Sequence, residues 1–174
     1  RLDRSVISGR ITGPVELSGT IDDDVAVARA FYVIEGTETP IGLTETDGRY
    51  GFDQRISVAR IGAEGTVVKI VAIDTSGNQA VEYRTFSNAP QFVPDAESSS
   101  DPKPILTVLY PADDAVLFAD DLTDGAVYVS GIITGVPRVG GISFSIDSGD
   151  IRQISPGEVF ELRLPALAPG SHRI

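Results

Sequence analysis

Carboxylates are the side chains of this sequence whose number and spacing point most directly to chemistry. Asp22-Asp23-Asp24, Asp113-Asp114, Asp120-Asp121 and Asp124 set several hard oxygen donors within short stretches, and Asp74 stands in a further polar turn. Calcium takes several such oxygens at once, although no EF-hand spacing is present. A solvated acidic loop is the plain alternative. The same carboxylates serve hydrolysis poorly, because a catalytic pair needs a cleft and two unequal environments, whereas these acids fall in turns.

Other reactive groups are scarce. His172 is the one histidine and there is no cysteine, so the chain offers no transition-metal set, no thiolate and no histidine beside a nucleophile. His172 itself reads as an exposed strand residue. No catalytic residue and no cofactor is assigned, and the chain is read as non-enzymatic. With 25 acidic against 14 basic residues the net charge is −11, which repels a polyphosphate, and no Lys/Arg cluster offsets it locally. Nucleic acid is excluded as a partner. No apolar run reaches the roughly 18 residues of a membrane-spanning helix.

Sugar binding calls for exposed aromatic rings. The chain has no Trp, and alternation commits Tyr32, Phe52, Phe144 and Phe160 to cores, which leaves Phe31, Tyr83 and Tyr128 as the main candidates. Cross-strand packing is the competing role for these three.

The elements that would position these groups are short strands. Residues 66–73 form an apolar run rich in Val and Ile, the turn Asp74-Thr75-Ser76-Gly77-Asn78 follows, and residues 80–86 alternate, which predicts a hairpin. Gly77 supplies the positive φ of that turn. Its replacement by Val is expected to cost more than the same change at Gly36, which reads as a looser loop. Upstream, strands are predicted at 5–11, 15–21, 26–34, 41–45 and 50–56, with Val15, Leu17, Ile21, Ala30, Tyr32 and Ile34 facing the core. The 18 Gly and 11 Pro suit such a loop-rich, all-β chain.

An internal repeat sets the domain count. Val15-Glu16-Leu17-Ser18-Gly19-Thr20-Ile21 matches Val127-Tyr128-Val129-Ser130-Gly131-Ile132-Ile133, and Phe52-Asp53-Gln54-Arg55-Ile56 matches Phe160-Glu161-Leu162-Arg163-Leu164. The expected organisation is a first domain at 1–88, a Pro/Ser/acidic linker at 89–104 that stays extended, and a second copy at 105–174. Residues 115–118 are expected to carry the second copy's first strand onto its other sheet. The counterpart of residues 70–86 is not found in the second copy. That copy is therefore expected to lack most of its last two strands and to be unstable alone.

Two motifs carry a family resemblance. Ala72-x-Asp74-x-x-Gly77-Asn78, with Ser18-Gly19-Thr20-Ile21-Asp22-Asp23-Asp24, resembles the immunoglobulin-like domains that occur in tandem in large bacterial secreted and surface proteins. The resemblance implies two immunoglobulin-like β-sandwiches in series, in an exported or cell-surface protein, whose partners are neighbouring domains of the same longer chain and a surface glycan or protein. It implies a spacer or adhesive role; the alternative is an accessory module, carbohydrate-binding in type, of a secreted polysaccharide-active enzyme. The arrangement also brings the loops holding Asp22, Asp23, Asp24 and Asp74 to one pole, which makes these four the calcium candidates. Glu45, Asp47 and Glu64 would gather at the opposite pole beside Asp95, Glu97 and Asp101.

Overall fold

In the computed structural model the described residues are 9–90, 103–136, 138–155 and 157–174; strand assignments at 5–8 and most of the predicted linker lie outside them. The protein is all-β. Its first half contains β1 (Gly9–Arg10), β2 (Val15–Asp22), β3 (Val27–Ile34), β4 (Thr37–Ile41), β5 (Leu43–Thr46), β6 (Arg49–Ile56), β7 (Thr66–Asp74) and β8 (Gln79–Ser87). These form a five-stranded sheet, β1-β8-β7-β3-β4, and a three-stranded sheet, β2-β6-β5, packed as an immunoglobulin-like sandwich. The element expected at 41–45 is two strands, since the chain passes from one sheet to the other at Gly42.

Strict alternation builds the core between the sheets. Val15, Leu17 and Ile21 of β2 meet Tyr32 and Ile34 of β3 and Val68 and Ile70 of β7, all buried. Burying side chains of this size contributes about 1.5–3 kcal/mol each by transfer, which is what holds the two sheets together. Two-residue turns with both central residues at positive φ close the tight hairpins: Glu35-Gly36 joins β3 to β4, and Asp47-Gly48 joins β5 to β6. Such turns match the strand twist.

Gly36 and Gly77 therefore do not differ as expected. Both have left-handed backbone, at φ 74° and 89°, and neither has an atom within 4 Å of an added Cβ. Gly36→Val and Gly77→Val should each cost about 1–2 kcal/mol, for the same backbone reason. Urea melts in which one variant matched the unsubstituted protein would contradict this.

The second half repeats part of this plan with β9 (Ile105–Tyr110), β10 (Val127–Thr134), β11 (Ile142–Phe144), β12 (Arg152–Ile154) and β13 (Val159–Leu164). The order is β13-β10-β9 in one sheet, with β11 and β12 as a separate two-stranded ribbon. The repeat holds to the residue. Gly19 pairs with Phe52 between β2 and β6, and Gly131 pairs with Phe160 between β10 and β13. Residues 115–118, expected to join the opposite sheet, make no ladder there. Val127, Val129, Ile133, Phe160, Leu162 and Leu164 form the second core.

Candidate functional site

Alternation assigns one face of β7 and β3 to the first core, yet the other face is apolar too: Val67, Val71 and Ile73 on β7, Phe31 and Val33 on β3. A strand apolar on both faces needs cover on both. The second half supplies it. Phe31, Val71, Val81, Tyr83 and Tyr128 form one buried cluster, with Tyr110 packed at its margin.

Three tyrosines lie at the centre of this contact. Tyr83 of β8 stacks on Tyr128 of β10 with centroids 5.1 Å apart and planes at 12°, and it tilts against Tyr110 of β9 at 4.8 Å. The Tyr83 and Tyr110 hydroxyls are 3.1 Å apart, and the Tyr83 hydroxyl also donates to the Asp121 carbonyl at 3.1 Å. Burial pushes the hydroxyls of Tyr83, Tyr110 and Tyr128 above their ordinary pKa, and the Glu161 carboxylate adds to this at Tyr128. All three remain neutral hydrogen-bonding groups across the physiological range.

Charged groups ring the stack. Because Phe160, Leu162 and Leu164 face the second core, Glu161 and Arg163 of β13 face β8. Glu161 accepts from the Thr85 amide at 2.9 Å and from the Tyr128 hydroxyl, and Thr85 Oγ1 lies 3.0 Å from that same hydroxyl. Glu82 pairs with Arg84 on its own strand and with Arg163 across the contact. Lys69 of β7 reaches Asp121 at 2.8 Å. Burial is the largest influence on Asp121 and raises it, but the Lys69 hydrogen bond, the Phe118 amide and the Lys69 charge together hold it below the usual carboxylate range. Gln79 donates to the Asp120 carbonyl, and Arg10 sits 3.5 Å from Glu158. Exposed pairs such as the last are worth about 0–1 kcal/mol; the buried ones matter chiefly because their hydrogen bonds fix one register of the two halves.

This contact also settles the aromatic candidates. Phe31, Tyr83 and Tyr128 are 8%, 1% and 2% exposed, so they pack and present no stacking platform to solvent. The polarity of β8 was readable in part. Val81 and Tyr83 face the second half, while Glu82 and Arg84 share the inner face with Val68 and Ile70. The signal for the contact was the two-sided apolar character of β3 and β7; the role of Glu161 and Arg163 had none.

The calcium candidates do share a pole. Val27 pairs with Asp74, and the Thr75 amide donates to the Ala26 carbonyl. The carboxylates of Asp22, Asp23 and Asp74 are turned to local tasks. Asp22 lies 3.2 Å from Arg49, Asp23 accepts from the Val25 amide, and Asp74 accepts from the Ser76 and Asn78 amides and the Asn78 side chain. The Asn78 side-chain bond and these amides hold Asp74 below its ordinary pKa. Among the described residues no three His, Cys, Asp or Glu side chains are gathered as around a metal ion. The opposite-pole acids Asp95, Glu97 and Asp101 lie outside those residues. Melting curves in EDTA and in millimolar Ca²⁺ are expected to coincide. A rise in Tm with Ca²⁺ that Asp23→Asn diminishes would show instead that an ion draws these acids together.

His172 is exposed, as expected, but lies outside any strand. Its Nδ1 lies 2.7 Å from Asp147 Oδ2 and its Nε2 lies 2.6 Å from the Ala168 carbonyl, so both nitrogens face acceptors. Only the imidazolium donates from both. The Asp147 hydrogen bond raises the His172 pKa, and the same bond lowers that of Asp147. For a raised folded pKa, the stabilisation is fully present below the unfolded value and is lost as pH rises through the folded one. An NMR titration of this single histidine should therefore show a midpoint above 6.5, with exchange of the neighbouring Arg173 amide quickening above that midpoint. A midpoint at or below 6.5 would show that the pair does not form.

No protein-family model and no curated protein matches the chain. Among solved structures it is similar to the fibronectin(III)-like modules of Clostridium thermocellum CbhA, at 14% identity and a TM-score of 0.37 over 99% of this chain and 80% of that one. It is also similar to a 1.5-MDa bacterial ice-binding adhesin, at 13% identity and a TM-score of 0.29, covering 88% of this chain and 47% of that one. A third is a Ca²⁺-stabilised adhesin of an Antarctic bacterium, at 16% and 0.27, covering 88% and 36%. At these identities and scores no residue role passes from them to this chain.

Proposed function

We propose that the chain is a non-catalytic double module of an exported or surface protein, whose work is to hold the segments joined to it at a set spacing and angle. The observation that carries this reading is the contact between the halves: a tyrosine stack buried at its centre and ringed by hydrogen-bonded charges. Two modules on a bare linker would tumble independently. A contact with a closed apolar centre and directional polar partners around it favours one orientation instead. The resemblance to tandem immunoglobulin-like domains supports the setting outside the cell.

The test is NMR relaxation and residual dipolar couplings on the 174-residue protein. One rotational correlation time and one alignment tensor are expected for both halves. Two independent tensors would overturn the proposal. A glycan array bears on the alternative role, and specific binding there would favour an accessory module over a passive spacer.

A further inference from the structure

Where β8 begins, the two halves stand apart around a cleft of about 620 Å³. That lies within the roughly 300–1,000 Å³ of small-molecule sites. Asp22, Arg49 and Glu82 line it from the first half, and Thr123, Asp124 and Arg163 from the second. Neither half encloses it alone.

One group in its wall is unaccounted for. Thr123 is 4% exposed, yet its Oγ1 has no hydrogen-bond partner among the described residues. A buried hydroxyl left unpaired destabilises a fold, so a group outside the chain is its expected partner. A closed turn holds the side chain at this point. The Thr123 amide donates to the Ala126 carbonyl at 3.0 Å, the Ala126 amide donates back at 2.9 Å, and Asp124 and Gly125 between them have positive φ.

The lining charges narrow the chemistry of that partner. Asp22 and Arg49, both exposed, pair at 3.2 Å; Glu82, which is buried, pairs with Arg163 and with Arg84. With Asp124, three carboxylates thus stand against three guanidinium groups. An anion would be repelled by the first set and a cation by the second. Hydroxyls donate to carboxylates and accept from guanidinium groups, so a neutral polyhydroxylated ligand satisfies both.

We propose that this cleft binds a neutral saccharide, its hydroxyls accepting from Arg49, donating to Asp124 and bonding to Thr123 Oγ1. No aromatic ring of the described residues lines it, so recognition rests on hydrogen bonds without stacking, and the affinity is in the millimolar range. Such a site exists only if the halves dock as proposed above, since each supplies three of these six groups. A ligand that bridges both walls binds the docked pair alone and so strengthens its orientation.

Amide chemical shifts of the 174-residue protein test this in titrations with glucose, galactose, maltose and cellobiose, alongside the alignment tensors of the two halves. At least one of these sugars should shift the amides of residues 79–82 and 123–125 saturably, whereas inorganic phosphate and free lysine should not. Thr123→Val should weaken that binding by about two- to tenfold, the worth of one hydrogen bond, without lowering Tm, because the hydroxyl removed has no partner in the protein. Arg49→Gln should weaken it to a similar extent. No saturable shift with any of the four sugars, while both halves share one tensor, would overturn the saccharide site and leave the docking standing. Two independent tensors would overturn both. Saturation by phosphate or lysine would overturn the ligand class, and a Thr123→Val protein of lower Tm and unchanged affinity would show that the hydroxyl serves the fold instead.

Discussion

Tyr128→Ala is expected to lower the stability of the protein by about 3–5 kcal/mol and to uncouple its two halves. The ring is 2% exposed and stacked on Tyr83, so its removal leaves a cavity in the buried cluster that the halves share. The hydroxyl adds a second loss, since Thr85 and Glu161 both bond to it. A urea melt followed at probes in each half should change from one shared transition to two. Tyr128→Phe separates the contributions: it keeps the stack and should cost about 1–3 kcal/mol, the price of polar groups left short of a partner. A loss below about 1 kcal/mol for the alanine variant would mean that the contact contributes little, and the orienting role would go with it.

Gly131→Ala should be nearly as damaging for a different reason. A Cβ there would lie 2.2 Å from the Thr107 carbonyl oxygen and 2.5 Å from the Phe160 ring. The first neighbour is backbone of β9 and cannot step aside without breaking its pairing with β10, while the second is the largest side chain of the second core. The expected cost is about 3 kcal/mol, the upper part of the range for overpacking a close-packed interior. It should fall on the second half first, with amide protection lost from β10 and β13 before β2 and β6. Uniform loss across both halves would indicate that they unfold only together. No loss would show that the two strands around Gly131 can separate freely.

The proposed orienting role rests on these same residues. Tyr128, Glu161 and Arg163 belong to strands whose opposite faces build the second core, so a strand that folds its own half correctly also presents the right face to the other.

Much of this was legible in the order of residues. Period-two alternation placed the strands and the core faces of β2 and β3, and Asp74-x-x-Gly77-Asn78 placed the β7–β8 hairpin, because both signals act between neighbours in the chain. The repeat aligned Gly19 with Gly131 and Phe52 with Phe160, and the ladders put each glycine opposite its phenylalanine. What alternation says is which residues share a face; it does not say what lies opposite. Phe31, Tyr83 and Tyr128 were thus left without a partner until three separate strands brought them together. The acids show the converse. The loops holding Asp22, Asp23 and Asp74 lie at one pole, but turn amides and an arginine a few ångströms away claim their oxygens, and such competition is decided by orientation. Local chemistry in the sequence determined the strands and turns; the docking of one sheet on another decided which side chains became a core, a contact or a cleft, because that choice depends on surfaces that exist only once the strands have paired.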